Sequence, residues 1–95
     1  MKVLISPKYG VGWSTWNYID LAFDPDIIQA FEAGLDKEDM RKFIISLGYE
    51  EPLFMDGYDQ CEIVEIPRGT LFKIKEYDGS EYIEKYNADD WMMAI

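Results

Sequence analysis

The chain has 95 residues, enough for one domain with a single hydrophobic core. It carries 19 acidic and 9 basic residues, and the resulting net charge of −10 disfavours direct binding to nucleic acid or to an anionic membrane surface. One cysteine and no histidine exclude an internal disulfide and a cysteine-based metal site within one chain, and they remove the commonest general base.

The first predicted element is a short strand over residues 1–6, with Val3 and Ile5 on one side and Leu4 on the other. Apolar residues on both sides indicate an inner strand. The loop YGVGWSTWN at 9–17 then combines glycines, polar groups and aromatic rings, a combination typical of ligand-binding sites and of protein-binding hot spots. Its candidate ligand-binding residues are Tyr9, Trp13, Ser14, Thr15, Trp16 and Asn17. The alternative interpretation is a turn whose tryptophans plug the end of the sheet.

Two helices follow, each with a start and a stop signal. Asp24 before Pro25 indicates the beginning of the first helix, and Gly34 indicates its end. Asp36 and Gly48 bound the second helix in the same way. The apolar stripes of the two helices predict a helical hairpin that covers one face of a sheet.

Residues 61–86 predict a three-stranded antiparallel meander. Asp78-Gly79 between two alternating runs indicates a tight hairpin, and PRGT at 67–70 indicates a second turn. The register derived from these turns places Ile74 between Ile63 and Ile83. It also predicts two charge pairs and one mismatch, namely Glu62–Lys75, Lys73–Glu84 and the like-charged Glu76–Glu81.

The predicted fold is a single α+β domain over residues 1–95. It contains a small antiparallel-rich sheet, made of the C-terminal meander and the N-terminal strand and covered by the two-helix hairpin. Residues 53–55 are a candidate edge strand, and Asn87 is expected to cap a final helical turn over 88–95. The meander is expected to be the folding core, so Ile74→Ala should cost ~2–5 kcal/mol and Thr15→Ala less than ~1 kcal/mol.

The acidic residues are concentrated in two segments without a basic residue, one between Lys8 and Lys37 and one between Lys42 and Arg68. Such segments fit solubility and helix capping alone, or a negative face directed at a basic partner. On the second interpretation the partner-binding residues are Asp20, Asp24, Asp26, Glu50, Glu51, Asp56 and Asp59.

No residue pattern indicates catalysis. Carboxylates occur in pairs at 24/26, 50/51, 76/81 and 89/90, but no pair has a spacing tied to a metal or phosphate motif. Residues 56–59 lack the ligand pattern of a calcium loop. Cys61 is interpreted as a small apolar filler, because nearby carboxylates raise a thiol pKa. We therefore expect a non-enzymatic protein with no metal site and no cofactor.

Two stretches, SPKYGVGWSTWN at 6–17 and EIPRGTLFKIKEYDGSEYIE at 65–84, resemble small proteins encoded by bacteriophages and prophages. The resemblance covers most of the chain and implies a setting, the host cytoplasm during infection or lysogeny, but no activity for a particular residue. Small acidic phage proteins are similar in style to anti-CRISPR and other anti-defence inhibitors, which block basic nucleic-acid channels by imitating phosphate.

Two functions are therefore expected from the sequence. The first is a phage-type inhibitor whose acidic face blocks a basic, nucleic-acid-binding surface of a host defence protein. The alternative is a nucleotide-like small-molecule binder that uses the loop at 9–17. The sequence contains no apolar run that could span a bilayer and no signal peptide, so a cytoplasmic location is expected. The oligomeric state stays open, and a dimer is compatible with the sequence.

Overall fold

A computed structural model describes residues 1–86, which fold into two helices and four strands. In chain order these are β1 (Lys2–Ile5), α1 (Pro25–Glu32), α2 (Lys37–Ser46), β2 (Glu62–Glu65), β3 (Phe72–Tyr77) and β4 (Ser80–Lys85). Short 3-10 turns lie at Ser14–Trp16, Ile19–Ala22 and Asp56–Gln60. The predicted α+β class is confirmed, whereas the final turn expected at 88–95 lies outside the described residues.

The three-stranded meander is wrong, because β2 pairs with β1 and not with β3. β1 and β2 run antiparallel with Val3 opposite Val64 and Leu4 opposite Ile63. Met1 extends this ladder by exchanging two hydrogen bonds with Ile66, at 2.9 and 2.7 Å. A turn does follow at 67–70, since the Thr70 N–H donates to the Pro67 carbonyl, but beyond it the chain enters a second sheet.

The β3–β4 hairpin has the predicted register. Asp78 and Gly79 have φ values of +48° and +85°, as a tight hairpin turn of two positive-φ residues requires. Ile74 lies opposite Ile83, and Lys73 lies opposite Glu84. The predicted charge pairs are not the ones that form, because Glu62 lies on the other sheet and Glu84 instead approaches Lys75 diagonally at 3.6 Å.

β1 lies between two apolar clusters, but among the described residues it pairs only with β2, so its prediction as an inner strand is wrong. Leu4 faces α1 and α2, where its cluster includes the buried side chains of Ile27, Met40, Ile44 and Trp13. The opposite side of β1 faces the hairpin, in a cluster composed of Val3, Ile5, Ala22 and Ile66 with the partly buried Val64, Phe72, Ile74 and Ile83 at its border. The predicted row of Ile63, Ile74 and Ile83 is wrong, because Ile63 packs against the helix side and Val64 takes its place.

The two helices begin and end as predicted. The side chain of Asp24 accepts a hydrogen bond from the Asp26 N–H, and Asp36 accepts one from Asp39. Gly34 and Gly48 follow the helices with positive φ. Residues 53–55 are not a strand. Within residues 1–86, no helix is long and apolar enough to cross a membrane.

Candidate functional site

The loop at 9–17 is organised around one buried carboxylate, that of Glu81 on β4, whose side chain has no exposed area. Oε1 accepts a hydrogen bond from the Ser6 N–H at 2.9 Å. Oε2 accepts from the N–H groups of Trp13 and Thr15, both at 2.9 Å, and from the Thr15 hydroxyl at 2.6 Å. One side chain therefore joins the end of β1, the loop and the hairpin.

Glu81 also resolves the like-charge mismatch with Glu76. The two residues lie opposite each other, but the Glu81 carboxylate is turned inward to its four donors. Glu76 remains at the surface, where Oε1 accepts a hydrogen bond from the indole N–H of Trp16 at 3.3 Å. Donor groups, and not a cation, therefore accommodate the second carboxylate.

Glycine contacts fix the loop against its neighbours. An added Cβ on Gly57 would lie 2.2 Å from the Gly12 carbonyl oxygen, and one on Gly79 would lie 2.6 Å from the Val11 nitrogen. The Gly10 N–H donates to the Asp78 carbonyl at 2.5 Å. These approaches leave no room for side chains, so the loop backbone at residues 10–12 is held between Gly57 and the hairpin turn.

The six candidate ligand-binding residues of the loop are separated by the fold. Trp13 and Ser14 are buried, with 0% and 1% of their surface exposed, and the Thr15 hydroxyl already donates to Glu81. The Asn17 side chain bonds both main-chain groups of Phe54. Of the six, only Tyr9 and Trp16 are among the exposed large apolar residues. Trp13 occupies the core against Tyr58, with ring centroids 5.7 Å apart, whereas Trp16, the second tryptophan of the plug interpretation, is exposed.

The seven candidate acidic residues divide into two groups. Three are held in ion pairs with α2, Glu51 with Arg41 at 2.7 Å and Asp56 and Asp59 with Lys37 at 3.7 and 3.5 Å. The other four have no ion-pair partner among the described residues. We refer to these four, Asp20, Asp24, Asp26 and Glu50, as the acidic strip.

Two tyrosines connect two members of the acidic strip, the carboxylate of Asp24 and the main chain of Glu50. The Tyr18 hydroxyl donates to the Glu50 carbonyl at 2.9 Å, and the Tyr49 hydroxyl donates to the Asp24 carboxylate at 3.3 Å. Their rings lie 5.4 Å apart. Burial, Asp24 and Asp20 raise the pKa of Tyr49, so its phenol stays protonated as the donor. Neither tyrosine is among the site residues predicted from the sequence, where the position of Tyr49 directly after Gly48 indicates only an apolar contact at the helix end.

An exposed aromatic pair joins the loop at 9–17 to Phe54. Trp16 and Phe54 are each 37% exposed, and their ring centroids are 4.9 Å apart. The Asn17 side chain fixes the backbone of Phe54, with hydrogen bonds of 2.7 and 2.8 Å. Gly12 lies against the Trp16 ring, since an added Cβ there would be 2.6 Å from it. We refer to Trp16, Phe54 and the carboxylate of Glu76 as the aromatic anchor.

Among residues 1–86, no group of three or more histidine, cysteine, aspartate or glutamate side chains could hold a metal ion. Cys61 directly precedes β2, and its sulfur lies 3.4 Å from the Gly57 carbonyl oxygen. Burial, followed by the charges of Glu81 and Asp59, raises the pKa of the thiol. The thiol therefore stays protonated and is a poor nucleophile at neutral pH, as the sequence predicts.

This raised pKa predicts a loss of stability in alkali. The thiol is protonated in the folded chain, but in the unfolded chain it ionises near its ordinary value of 9.0. Its contribution is complete below that value and is lost as the pH rises. Between about pH 7 and about pH 10, the wild type should lose about 1 kcal/mol more unfolding free energy than Cys61→Ala. Urea melts at the two pH values measure this, and equal losses would contradict it.

Comparison of the chain with protein-family models, with curated proteins and with solved structures finds no match in any of the three.

Proposed function

We propose that this chain is a non-enzymatic interaction protein that docks its acidic strip onto a basic, nucleic-acid-binding surface of a host protein. In the phage setting that the resemblance implies, it would act in the host cytoplasm and block a defence protein. The observation that supports this proposal is the division of the acidic residues. Four of them, the acidic strip, have no ion-pair partners among residues 1–86, whereas Lys37 and Arg41 neutralise the other three.

An unpaired carboxylate at a surface is well suited to charge recognition. Its field is not cancelled locally, so it steers a basic partner and can exchange water for lysine or arginine contacts on docking. A carboxylate that already bonds an arginine would first have to break that pair. The acidic strip should therefore contribute more to binding than Glu51, Asp56 and Asp59, although all seven were candidates from the sequence.

The alternative, a nucleotide-like ligand at 9–17, has fewer free groups to use. Ser14 and Trp13 are buried, and Thr15 and Asn17 are engaged within the fold. A ligand would have to displace the bonds to Glu81 to reach them. The acidic strip needs no rearrangement, so we place the proposed function there.

Two triple variants with the same charge test the proposal. The strip variant carries Asp20→Asn, Asp26→Asn and Glu50→Gln, and it keeps Asp24 because that side chain caps α1. The control carries Glu51→Gln, Asp56→Asn and Asp59→Asn. Each replaces three acids and so changes the net charge from −10 to −7.

The three proteins are immobilised and exposed to the heparin-retained fraction of a bacterial lysate. The wild type and the control should retain a basic protein that salt or duplex DNA displaces, and the strip variant should bind it about tenfold more weakly. Equal weakening in both variants would mean that only total charge matters. A partner that neither salt nor DNA releases would contradict docking to a nucleic-acid site.

A further inference from the structure

The geometry points to the aromatic anchor as the place where an arginine side chain of the basic partner binds. This inference rests on the proposed function, because it assigns a specific contact to the same basic partner. It concerns residues that the charge pattern alone does not select.

The aromatic anchor combines the two groups that a guanidinium recognises. Arginine stacks on aromatic faces, best on tryptophan, and its planar fork of N–H donors fits a carboxylate. Trp16 and Phe54 supply exposed rings, and the Glu76 carboxylate lies at the indole edge, 3.3 Å from Nε1. Apart from that bond, Glu76 accepts only a long hydrogen bond from the Gly79 N–H, at 3.4 Å, and it forms no ion pair within residues 1–86.

The rings are held in place before any partner arrives. Asn17 bonds both main-chain groups of Phe54, and its own amide also donates to the Trp13 carbonyl at 2.9 Å. Trp13 and Thr15 are in turn fixed by Glu81. These bonds fix the backbone beneath both rings, and the Trp16 ring itself is held by Gly12 and by its bond to Glu76, so little freedom is left to lose on binding.

The charge of the surroundings selects a cation as the occupant. Asn17 and Tyr18 follow Trp16 directly, and Tyr18 bonds Glu50 of the acidic strip. An arginine seated at the aromatic anchor would meet the Glu76 carboxylate directly and would be attracted by the net charge of −10. Lysine would gain from the same charge, but it lacks the planar group that stacks on a ring and bonds Glu76 with two N–H groups.

The test compares two fluorescein-labelled peptides of equal length and charge, octa-arginine and octa-lysine, by fluorescence anisotropy at low salt. The wild type should bind octa-arginine several-fold more tightly than octa-lysine. Trp16→Leu should weaken octa-arginine binding about fivefold and octa-lysine binding less than about twofold. Phe54→Leu and Glu76→Gln should reduce the same preference, and thermal melts check that each variant is folded.

Tyr77→Leu is the matched control. Tyr77 follows Glu76 in β3, so its side chain points to the opposite face of the hairpin, and it is 70% exposed beside Tyr9. Its loss should leave both affinities unchanged. If the strip variant weakens both peptides while Trp16→Leu weakens neither, the aromatic anchor is wrong and the proposed function stands. If the strip variant binds both peptides as tightly as the wild type, the proposed function itself is wrong.

Discussion

Glu81→Ala is expected to lower the free energy of unfolding by about 3–5 kcal/mol, out of the about 5–15 kcal/mol that stabilises a small domain. Alanine removes the acceptor of four hydrogen bonds and leaves the N–H groups of Ser6, Trp13 and Thr15 without a partner in the interior. An unsatisfied buried donor costs more than the bond itself contributed, because water cannot replace the lost acceptor. Urea melts measure the loss directly.

Two milder variants give a graded series at the same site. Glu81→Gln keeps one oxygen for Trp13 and Thr15, but its NH₂ group then meets the Ser6 N–H, a second donor, so an intermediate loss is expected. Thr15→Ala removes only the hydroxyl bond to the carboxylate and should cost about 1.5–3 kcal/mol, the range for bonds to a charged group. This value exceeds the loss of less than ~1 kcal/mol expected from the sequence.

Glu62→Ala is the control for these variants, since Glu62 is an exposed strand glutamate on β2. It should change stability by less than about 0.5 kcal/mol. Hydrogen exchange adds a second observable, because the amides of Ser6, Trp13 and Thr15 should lose protection in Glu81→Ala. Comparable losses for Glu62→Ala and Glu81→Ala would show that the carboxylate does not organise the loop.

Local signals in the sequence were sufficient for the elements that local chemistry determines. The hairpin register follows from Asp78-Gly79, and the helix ends follow from Asp24, Asp36 and the glycines, because each signal acts within a few residues. The strand that pairs with β2 could not be predicted from such local signals. Its pairing joins Met1 to Ile66, 65 residues apart, and a turn signal at 67–70 cannot report on an alternative partner so distant in the chain.

The sequence contains a signal for the role of Glu81, but by itself that signal indicates only an unfavourable charge pair. Alternation along β4 places Glu81 on the inward side with Ile83, whereas the predicted register indicated only a charge conflict between Glu81 and Glu76. The donors that resolve the conflict are backbone groups of a loop in which no secondary structure was assigned, so they were not visible in the sequence. The division of the acidic residues was hidden for a similar reason, because it depends on where α2 presents Lys37 and Arg41.

Trp13→Ala is expected to cost about 3–5 kcal/mol, whereas Ile74→Ala should cost less than about 2 kcal/mol. The sequence predicted the meander as the core, but Trp13 is fully buried in the helix-side cluster, while Ile74 only borders the second cluster in a two-stranded hairpin. Removing an indole leaves a larger cavity than shortening a half-buried isoleucine.

Trp13→Phe separates packing from polarity at this position. The indole Nε1 of Trp13 is buried and has no hydrogen-bond partner within residues 1–86, so a phenyl ring keeps most of the apolar contacts and removes an unsatisfied donor. We expect Trp13→Phe to lose less than about half of what Trp13→Ala loses, in urea melts of the same series. A larger loss of unfolding free energy for Ile74→Ala than for Trp13→Ala would show that the main core lies in the hairpin, as the sequence predicted. Equal losses for Trp13→Phe and Trp13→Ala would contradict this expectation, because a phenyl ring would then recover none of the packing that the indole provides.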